Sequence, residues 1–377
     1  MSVPTATDSK PDLYTAVDDI ETPAIVVDLN VMERNMEWYA RFAEEHAVSL
    51  RSHTKTHKTP EIAHWEHDRT SGGIVCQTLS EVEVMAQAGL DDIYLSYMVV
   101  GDSKLDRLVN VSQKLDAFAT TVDGPGNINP LQAAAADHDT TVDAVLEIDI
   151  GLERVGVAPE DAPGMAQYLA DQPNVNFAGV MAYEGHLGYG DKTEADYEQE
   201  CAAAMDEVEA TVDRIEDAGV EVAEVKVGST PTSLHSGKHP VVTEINPGMF
   251  PFMDARLIEV PHIEKEDCAL GVLTTVISAP ADDRVVVDAG SKSVSLETDY
   301  DPLVSDDAHA GARYYNASEE HGWIDVDDYA ADFEVGDRLE FIPPHVCPTI
   351  NLHDTLVGVR DGVVESVWSV QGRGKVK

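Results

Sequence analysis

Ala47-Val-Ser-Leu50, running on into Arg51-Ser-His53-Thr-Lys55-Thr-His57-Lys58, is a short strand-like run that ends in a basic knot. Two lysines and two histidines fall within the six residues from His53 to Lys58, in a chain with 70 acidic and only 25 basic side chains. Such a knot points to a bound anion or a reactive amine; a solvated basic loop is the plainer alternative. A lysine at a strand end, beside other cationic groups, has the setting in which an ε-amine is tuned for Schiff-base chemistry with a carbonyl group.

Outward from this stretch the chain alternates β-branched runs with amphipathic helical stretches. Ala24-Ile-Val-Val-Asp28 leads into a helix from about Asn30 to His46. Eight strand candidates succeed it: Val48–Ser52, Gly73–Gln77, Asp92–Tyr97, Ala117–Val122, Val142–Asp149, Val175–Tyr183, Glu221–Val227 and Val241–Asn246. Helices between them are clearest at Thr78–Ala88, Asp102–Lys114, Pro159–Ala170 and Ala195–Ala218. This spacing predicts an α/β protein with parallel βα units closed into a (β/α)8 barrel. An open doubly wound sheet is the alternative, but no phosphate-binding Gly-rich turn comes after an early strand. Lys55, Gln77, Arg154, Tyr183 with His186, Ser229-Thr230 and Gly248 all fall at or just after a predicted strand end. In a barrel those ends form the active face. Beyond Pro261 the rhythm changes, with strand-like runs at Leu270–Ile277, Arg284–Asp288, Arg338–Phe341 and Leu356–Val359. The expected division is a polar N-terminal segment 1–21, a barrel 22–260 and a smaller β-rich domain 261–377, which the first strand or the N-terminus could complete.

The formal net charge of −45 is spread over most of the chain, and 43% of residues are hydrophobic. A surplus distributed this way reads as a solvation strategy whose self-repulsion salt screens, so a halophilic protein of a salt-rich cytoplasm is expected. Nucleic acid and anionic membrane are poor partners for this surface. Cys76, Cys201, Cys268 and Cys347 are too scattered for a disulfide framework. No signal-type or membrane-spanning apolar stretch is present.

Further motifs carry chemistry. Val227-Gly-Ser-Thr-Pro-Thr232 succeeds a strand and offers backbone N–H and hydroxyl donors suited to a phosphate, though Ser, Thr and Pro also make ordinary turns. Pro343-Pro-His345-Val-Cys347 presents an imidazole and a thiolate, both good zinc ligands. As an isolated pair, structural His and Cys are commoner. Two protein ligands suit an open catalytic site better than a closed structural one.

In their order these motifs resemble the alanine-racemase-type barrel enzymes that use pyridoxal phosphate (PLP), in the branch holding D-serine dehydratase and D-threonine aldolase. The resemblance runs from Thr22 to the end of the chain. It implies that Lys55 carries PLP, with Lys58 the second candidate. Gly228, Ser229 and Thr230, with Gly248 and Met249 of Pro247-Gly-Met-Phe250, match the phosphate site, where the family usually has Tyr in place of Phe250. Gln77 joins the cofactor-binding set. Arg154, in Glu147-Ile-Asp-Ile-Gly-Leu-Glu-Arg154, matches the arginine beside the PLP ring. Tyr183 and His186, in Tyr183-Glu-Gly-His186, match a ring support and a second acid–base group. His345 and Cys347 match the branch's metal ligands, with His321 of Glu320-His321-Gly322 near metal or substrate. Dehydratases of the branch carry His and Cys there for zinc; the aldolases carry His and Asp for other divalent ions.

The expectation is a PLP- and zinc-dependent, D-serine dehydratase-like lyase that eliminates water and then ammonia from a β-hydroxy D-amino acid, with a homodimer as the assembly. The rival is D-threonine aldolase-like or 3-hydroxy-D-aspartate aldolase-like cleavage to glycine and an aldehyde. From another class comes a PLP-carrier protein without turnover, which resembles the barrel alone.

Overall fold

Local signals set several of the helix starts. Thr78 accepts a hydrogen bond from Glu81 N–H and Thr193 one from Asp196 N–H, each within a reciprocal capping box that satisfies otherwise unpartnered N–H groups. In the computed structural model the described residues are 16–305, 309, 311–326 and 333–377. Of the polar N-terminal segment expected over 1–21, residues 1–15 lie outside them. In chain order the first elements are β1 (Ala24–Asp28), α1 (Leu29–His46), β2 (Ser49–Leu50), β3 (Ser52–His53), α2 (Pro60–His67), β4 (Ile74–Cys76), α3 (Leu79–Gln87) and β5 (Asp92–Leu95). Next come α4 (Asp102–Ser112), β6 (Ala117–Val122), α5 (Pro125–Asp137), β7 (Val142–Ile148), α6 (Ala162–Ala170) and β8 (Val175–Ala182). The run closes with α7 (Glu194–Asp217), β9 (Val225–Val227), α8 (Ser233–Ser236) and β10 (Glu244–Ile245).

Strands β2 to β10 form one nine-stranded sheet in the order β2-β10-β9-β8-β7-β6-β5-β4-β3. Every adjacent pair in it is parallel. β2 and β3 are one extended stretch interrupted at Arg51, one half pairing with β10 and the other with β4, so the sheet closes on itself. Successive side chains of such strands point to opposite faces, and both faces are buried, as a barrel wrapped in helices requires. Val75, Tyr94, Val145 and Met181 cluster together, while their neighbours Ile74, Ile93, Leu146 and Val180 are equally buried.

The remaining strands are β11 (Leu270–Ala281), β12 (Arg284–Val287), β13 (Leu303–Val304), β14 (Arg313–Ala317), β15 (Gly322–Asp325), β16 (Arg338–Ile342), β17 (Thr355–Arg360) and β18 (Val363–Ser369), with α9 (Val346–Ile350) after β16. They make the second sheet, ordered β14-β15-β12-β11-β1-β17-β18, with β16 also on β11 and β13 on β16. β1 therefore lies inside the range 22–260 but pairs antiparallel with β11 and parallel with β17. Nothing local marks this choice, because β1 has the same apolar run as a barrel strand and its partners are distant in sequence. Val276, Val285, Val287, Tyr314, Ile324 and Phe341 form the core of this β-rich unit.

By contacts the chain divides into two units. One holds the described residues up to Asn35, with Pro251–Ile258 and Ile263–Arg373; the other holds Met36–Phe250, Glu259–His262 and Gly374–Lys377. Among the described residues no helix is long and apolar enough to cross a membrane.

Candidate active site

The segment after β3 is held from both sides. His53 N–H donates to Pro247 O (2.9 Å) and Thr54 N–H to Val75 O (2.9 Å), tying it to the ends of β10 and β4. Gln77, the residue after β4, organises the side chains around it. Its Nε2 donates to Ser96 O (2.8 Å), which leaves Oε1 as the acceptor for His53 Nε2 (3.2 Å) and Lys55 Nζ (3.5 Å). His53 is buried, and burial first, then the charge of Lys55, push its pKa well below the ordinary 6.5. It is thus a neutral imidazole with its proton on Nε2. Lys58 takes a different course: at φ 53° its side chain turns to the buried Glu81, with Nζ 2.8 Å from Oε1. Glu81 also accepts from Gln77 N–H (2.8 Å), and His57 is paired with the buried Glu66 (3.1 Å). Of the four basic side chains from His53 to Lys58, His53 and Lys55 converge on Gln77, while His57 and Lys58 each have a buried carboxylate.

Tyr183, directly after β8, lies between two cations. Lys55 Nζ is 6.0 Å and Arg154 Cζ 5.0 Å from its ring centroid, within reach of a cation–π attraction. The ring fits only because residue 185 is glycine: a Cβ there would stand 2.3 Å from Tyr183 Cε1. Arg154 also pairs with Glu147 (3.4 Å) while its own side chain stays 55% exposed. Burial raises the Glu147 pKa against the pull of Arg154. His186 is exposed, its imidazole beside Gly151, where an added Cβ would meet Nε2 at 3.1 Å.

The loop after β9 is built on a carboxylate that no sequence motif singles out. Glu184 is fully buried and accepts from Gly228 N–H (3.0 Å) and Thr232 Oγ1 (2.8 Å). Ser229 Oγ and Thr232 Oγ1 are 2.8 Å apart, and Gly228 has φ 118°, a region that glycine alone enters cheaply. Met249 N–H donates to Thr230 Oγ1 (2.9 Å) and Tyr39 OH to Thr230 O (3.0 Å), so the turns after β9 and β10 are one piece. A Cβ on Gly248 would be 2.9 Å from His53 O, which brings this piece against the segment bearing Lys55. Phe250 is buried against Tyr39, centroids 4.6 Å apart, and supplies no hydroxyl. Glu184 leaves no local signal, because the donors it accepts from lie more than forty residues away.

These groups could hold a phosphate-bearing carbonyl cofactor. Gly228, Ser229, Thr230, Gly248 and Met249 line close-approaching backbone, and Lys55 supplies an amine with Arg154 and Tyr183 nearby. The β-rich unit holds the other expected set. His345 Nδ1 bonds Glu297, which orients the ring, and Cys347 lies half-buried in the first turn of α9. A carboxylate behind a histidine is the usual support for a metal-binding imidazole, so this donor set fits a divalent ion. Partial burial works against the charge on Glu297, but hydrogen bonds from Ser295 and His345 hold its pKa below the ordinary value. His321 is exposed in the turn between β14 and β15.

Known proteins share both halves of this arrangement. The family model described as alanine racemase, N-terminal domain, matches residues 27–256, and that of a putative serine dehydratase domain matches 269–359. A D-threonine aldolase of Arthrobacter sp is 34% identical over 94% of this chain and 93% of its own length. A 3-hydroxy-D-aspartate aldolase of Paracoccus denitrificans is 33% identical over 95% and 93%. The D-threo-3-hydroxyaspartate dehydratase of Delftia sp. is 28% identical over 88% and 92%. Among solved structures, D-threonine aldolase from Filomicrobium marinum superposes with a TM-score of 0.91 at 32% identity, covering 97% of this chain and 99% of that one. A cysteine-to-alanine variant of D-threo-3-hydroxyaspartate dehydratase, in a metal-free form, gives 0.85 at 26%, covering 94% and 99%. The cysteine changed there and the histidine changed in another variant of that enzyme are two positions apart, the spacing of His345 and Cys347.

Proposed function

This chain belongs to the family of PLP-dependent lyases of D-amino acids that carry the alanine racemase-type barrel, and within it we propose that it is a dehydratase, removing water from a β-hydroxy D-amino acid to give a keto acid and ammonia. The observation that carries the choice is His345-x-Cys347, the spacing of the histidine and cysteine altered in two variants of D-threo-3-hydroxyaspartate dehydratase, one of them in a metal-free form.

In this reading Lys55 holds the cofactor through Nζ, the 228–230 and 248–249 turns hold its phosphate, and Arg154 and Tyr183 flank its ring. Bound PLP supplies a sink for the electron pair released at the substrate's Cα. Gln77 Oε1, aimed by Ser96 O, positions Nζ of Lys55, which takes the Cα proton. His53 donates its Nε2–H hydrogen bond to the same Oε1 and so fixes Gln77 from the other side. His186 is the group for a second proton transfer. His345 and Cys347 would hold a divalent ion, zinc by the softness of the thiolate, whose chemistry is Lewis-acid activation of the β-hydroxyl. Net loss of water across Cα–Cβ, then hydrolysis of the enamine, balances to keto acid plus ammonia.

A second reading, aldol cleavage to glycine and an aldehyde, is favoured by the 34% identity to the Arthrobacter aldolase. The two are separated by incubating the holoenzyme with D-serine, D-threonine and 3-hydroxy-D-aspartate and identifying the products. Keto acid with ammonia, stopped by a chelator that leaves the visible cofactor absorbance intact, supports dehydration. Glycine with aldehyde overturns it, and full dehydration in metal-free protein overturns the role of an ion at His345 and Cys347. Cys347→Asp is expected to weaken zinc preference and let cleavage emerge, since a carboxylate suits harder ions.

A further inference from the structure

Outside these residues, three further ligand-type side chains meet within the barrel unit. Thr193 caps α7 and places Glu194 at its first position. α8 comes directly after the 228–232 loop and buries His235, whose side chain is 3% exposed. The segment Glu259–His262 returns to the same unit and brings in His262. His235 Nε2 lies 3.6 Å from Glu194 Oε1, and His262 Nδ1 3.5 Å from Glu194 Oε2. One ligand atom from each residue falls within 4.8 Å of the other two. Neighbouring rings hold both imidazoles. His235 stacks on Tyr197 (5.8 Å, 19°), the tyrosine anchored through its hydroxyl to Gly188 O (3.1 Å), and His262 meets Trp38 edge-on at 6.0 Å.

We propose that Glu194, His235 and His262 form a divalent-metal site of the zinc type, with three protein ligands and a fourth position for water. Two arguments carry it. Each imidazole nitrogen lies 3.6 or 3.5 Å from one oxygen of the same carboxylate, and one ligand atom from each residue lies within 4.8 Å of the others, so an ion among them needs the three to draw in from at most that separation to the about 3.3–3.4 Å that bonds of about 2.0–2.1 Å set in a tetrahedral shell. Moreover, neither ring nitrogen of His235 makes a hydrogen bond, although the side chain is buried. A buried polar group is normally satisfied, and His235 points at the carboxylate at a distance too long for a hydrogen bond and close to that of two ligands of one ion. The plainer arrangement, a carboxylate between two imidazoles with no ion, is the competing outcome. Asp206, Glu209 and His239 are a comparable cluster, but two of them are exposed and no buried unsatisfied group aims into it, so that set serves as a control.

The test counts zinc in a full-length chain carrying both His345→Ala and Cys347→Ala, stripped with chelator, loaded with zinc chloride and desalted in concentrated salt. About one zinc per chain is expected to remain, with a thermal midpoint raised by zinc. Adding Glu194→Gln or His262→Gln should lower the content to near zero and remove the thermal shift, whereas His239→Gln should change neither. Near-zero zinc in the parent double variant, a content that survives Glu194→Gln and His262→Gln, or a loss on His239→Gln would each overturn the proposal. Should the double variant not fold, the same comparison is made in the otherwise unaltered chain. There Glu194→Gln is expected to lose about one zinc, and an unchanged content refutes the site. No outcome depends on turnover, so the result stands apart from the dehydratase reading.

Discussion

The two ends of the barrel use the same residue types to opposite effect. At the strand starts, Arg51 reaches Glu244 (2.9 Å) and Asp92 (2.6 Å), and Lys226 reaches Glu244 (3.0 Å) and Glu224 (2.7 Å). Lys226 also lies over the Tyr94 ring at 5.5 Å, and Asn246 Nδ2 donates to Glu244 (3.0 Å). Burial opposes the charge on Glu244, yet Arg51 and Lys226 outweigh it and hold its pKa below the ordinary value. At the strand ends, Lys55 and Arg154 meet an amide oxygen, an aromatic ring and the carboxylate of Glu147. Cations gathered on the buried carboxylate of Glu244, each with a second, more exposed carboxylate, form a structural plug. At the strand ends the match is looser, since Arg154 has one carboxylate at 3.4 Å and its own side chain stays 55% exposed, and that is the physical mark separating the two ends.

The largest expected effect tests the strand-end half of this contrast. Lys55→Ala should lower turnover by roughly 10⁴-fold or more and abolish the visible absorbance of lysine-bound cofactor, while leaving thermal stability nearly unchanged. Lys58→Ala should keep the absorbance and instead destabilise the fold, because it strands Glu81. Absorbance that tracks Lys58 rather than Lys55 would break the contrast.

Glu244→Gln tests the other end. It should destabilise by about 3 kcal/mol, the low end for a broken buried pair, since Arg51 keeps Asp92 and Lys226 keeps Glu224. Denaturant unfolding measures the loss, and turnover per folded molecule should stay within about twofold of the parent under the transition-state relation. A large activity loss without a stability loss would move this network into the site.

A smaller effect comes from protons. The folded pKa values of His53 and His353 lie below the ordinary 6.5, in both cases through burial first. The unfolded chain therefore binds these protons more readily. Stability from these groups is complete above 6.5 and falls as pH drops through 6.5 toward the folded values. Thermal midpoints measured down from neutrality should show this decline. His53→Gln should flatten it, and so should Lys55→Ala to a lesser degree, because the charge of Lys55 is the second cause of the shift. An undiminished slope in His53→Gln sinks the assignment.

Salt sharpens the comparison least, residue by residue. The net charge of −45 predicts midpoints that rise with potassium chloride as surface repulsion is screened. The buried network is poorly screened, so Glu244→Gln should rise in parallel with the parent. Equal stability at low salt would contradict the halophile expectation.

Much of the barrel is legible in the sequence because its repeat is local. Short apolar runs alternate with amphipathic helices, and a parallel barrel places the residues after each strand on one face, which is why Gln77, Arg154, Tyr183 and Gly248 stand out as a set. Helix limits differ by a few residues at most where the pattern predicts a helix, as in Ala195–Ala218 against Glu194–Asp217. The pattern leaves a helix-length segment at α2 and α5 without drawing their limits, and it does not disclose the strands β13, β14, β15 and β18. Two of these cases have a local cause: α5 carries an internal proline, and β13 is two residues long.

By itself, then, the sequence determined the alternation of elements, the acidic surface and the set of polar residues at strand ends, since each depends on neighbours a few positions apart. Tertiary structure alone decided which member of the basic knot faces which end. Arg51 turns to Glu244 and Asp92, Lys58 to Glu81, and Lys55 to Gln77 and Tyr183. It also assigned β1 to the β-rich sheet and set Glu184 under the 228–232 loop. These choices rest on buried charges and strand edges finding partners far along the chain, and a buried group's energy is set by that partner rather than by its own neighbours in sequence.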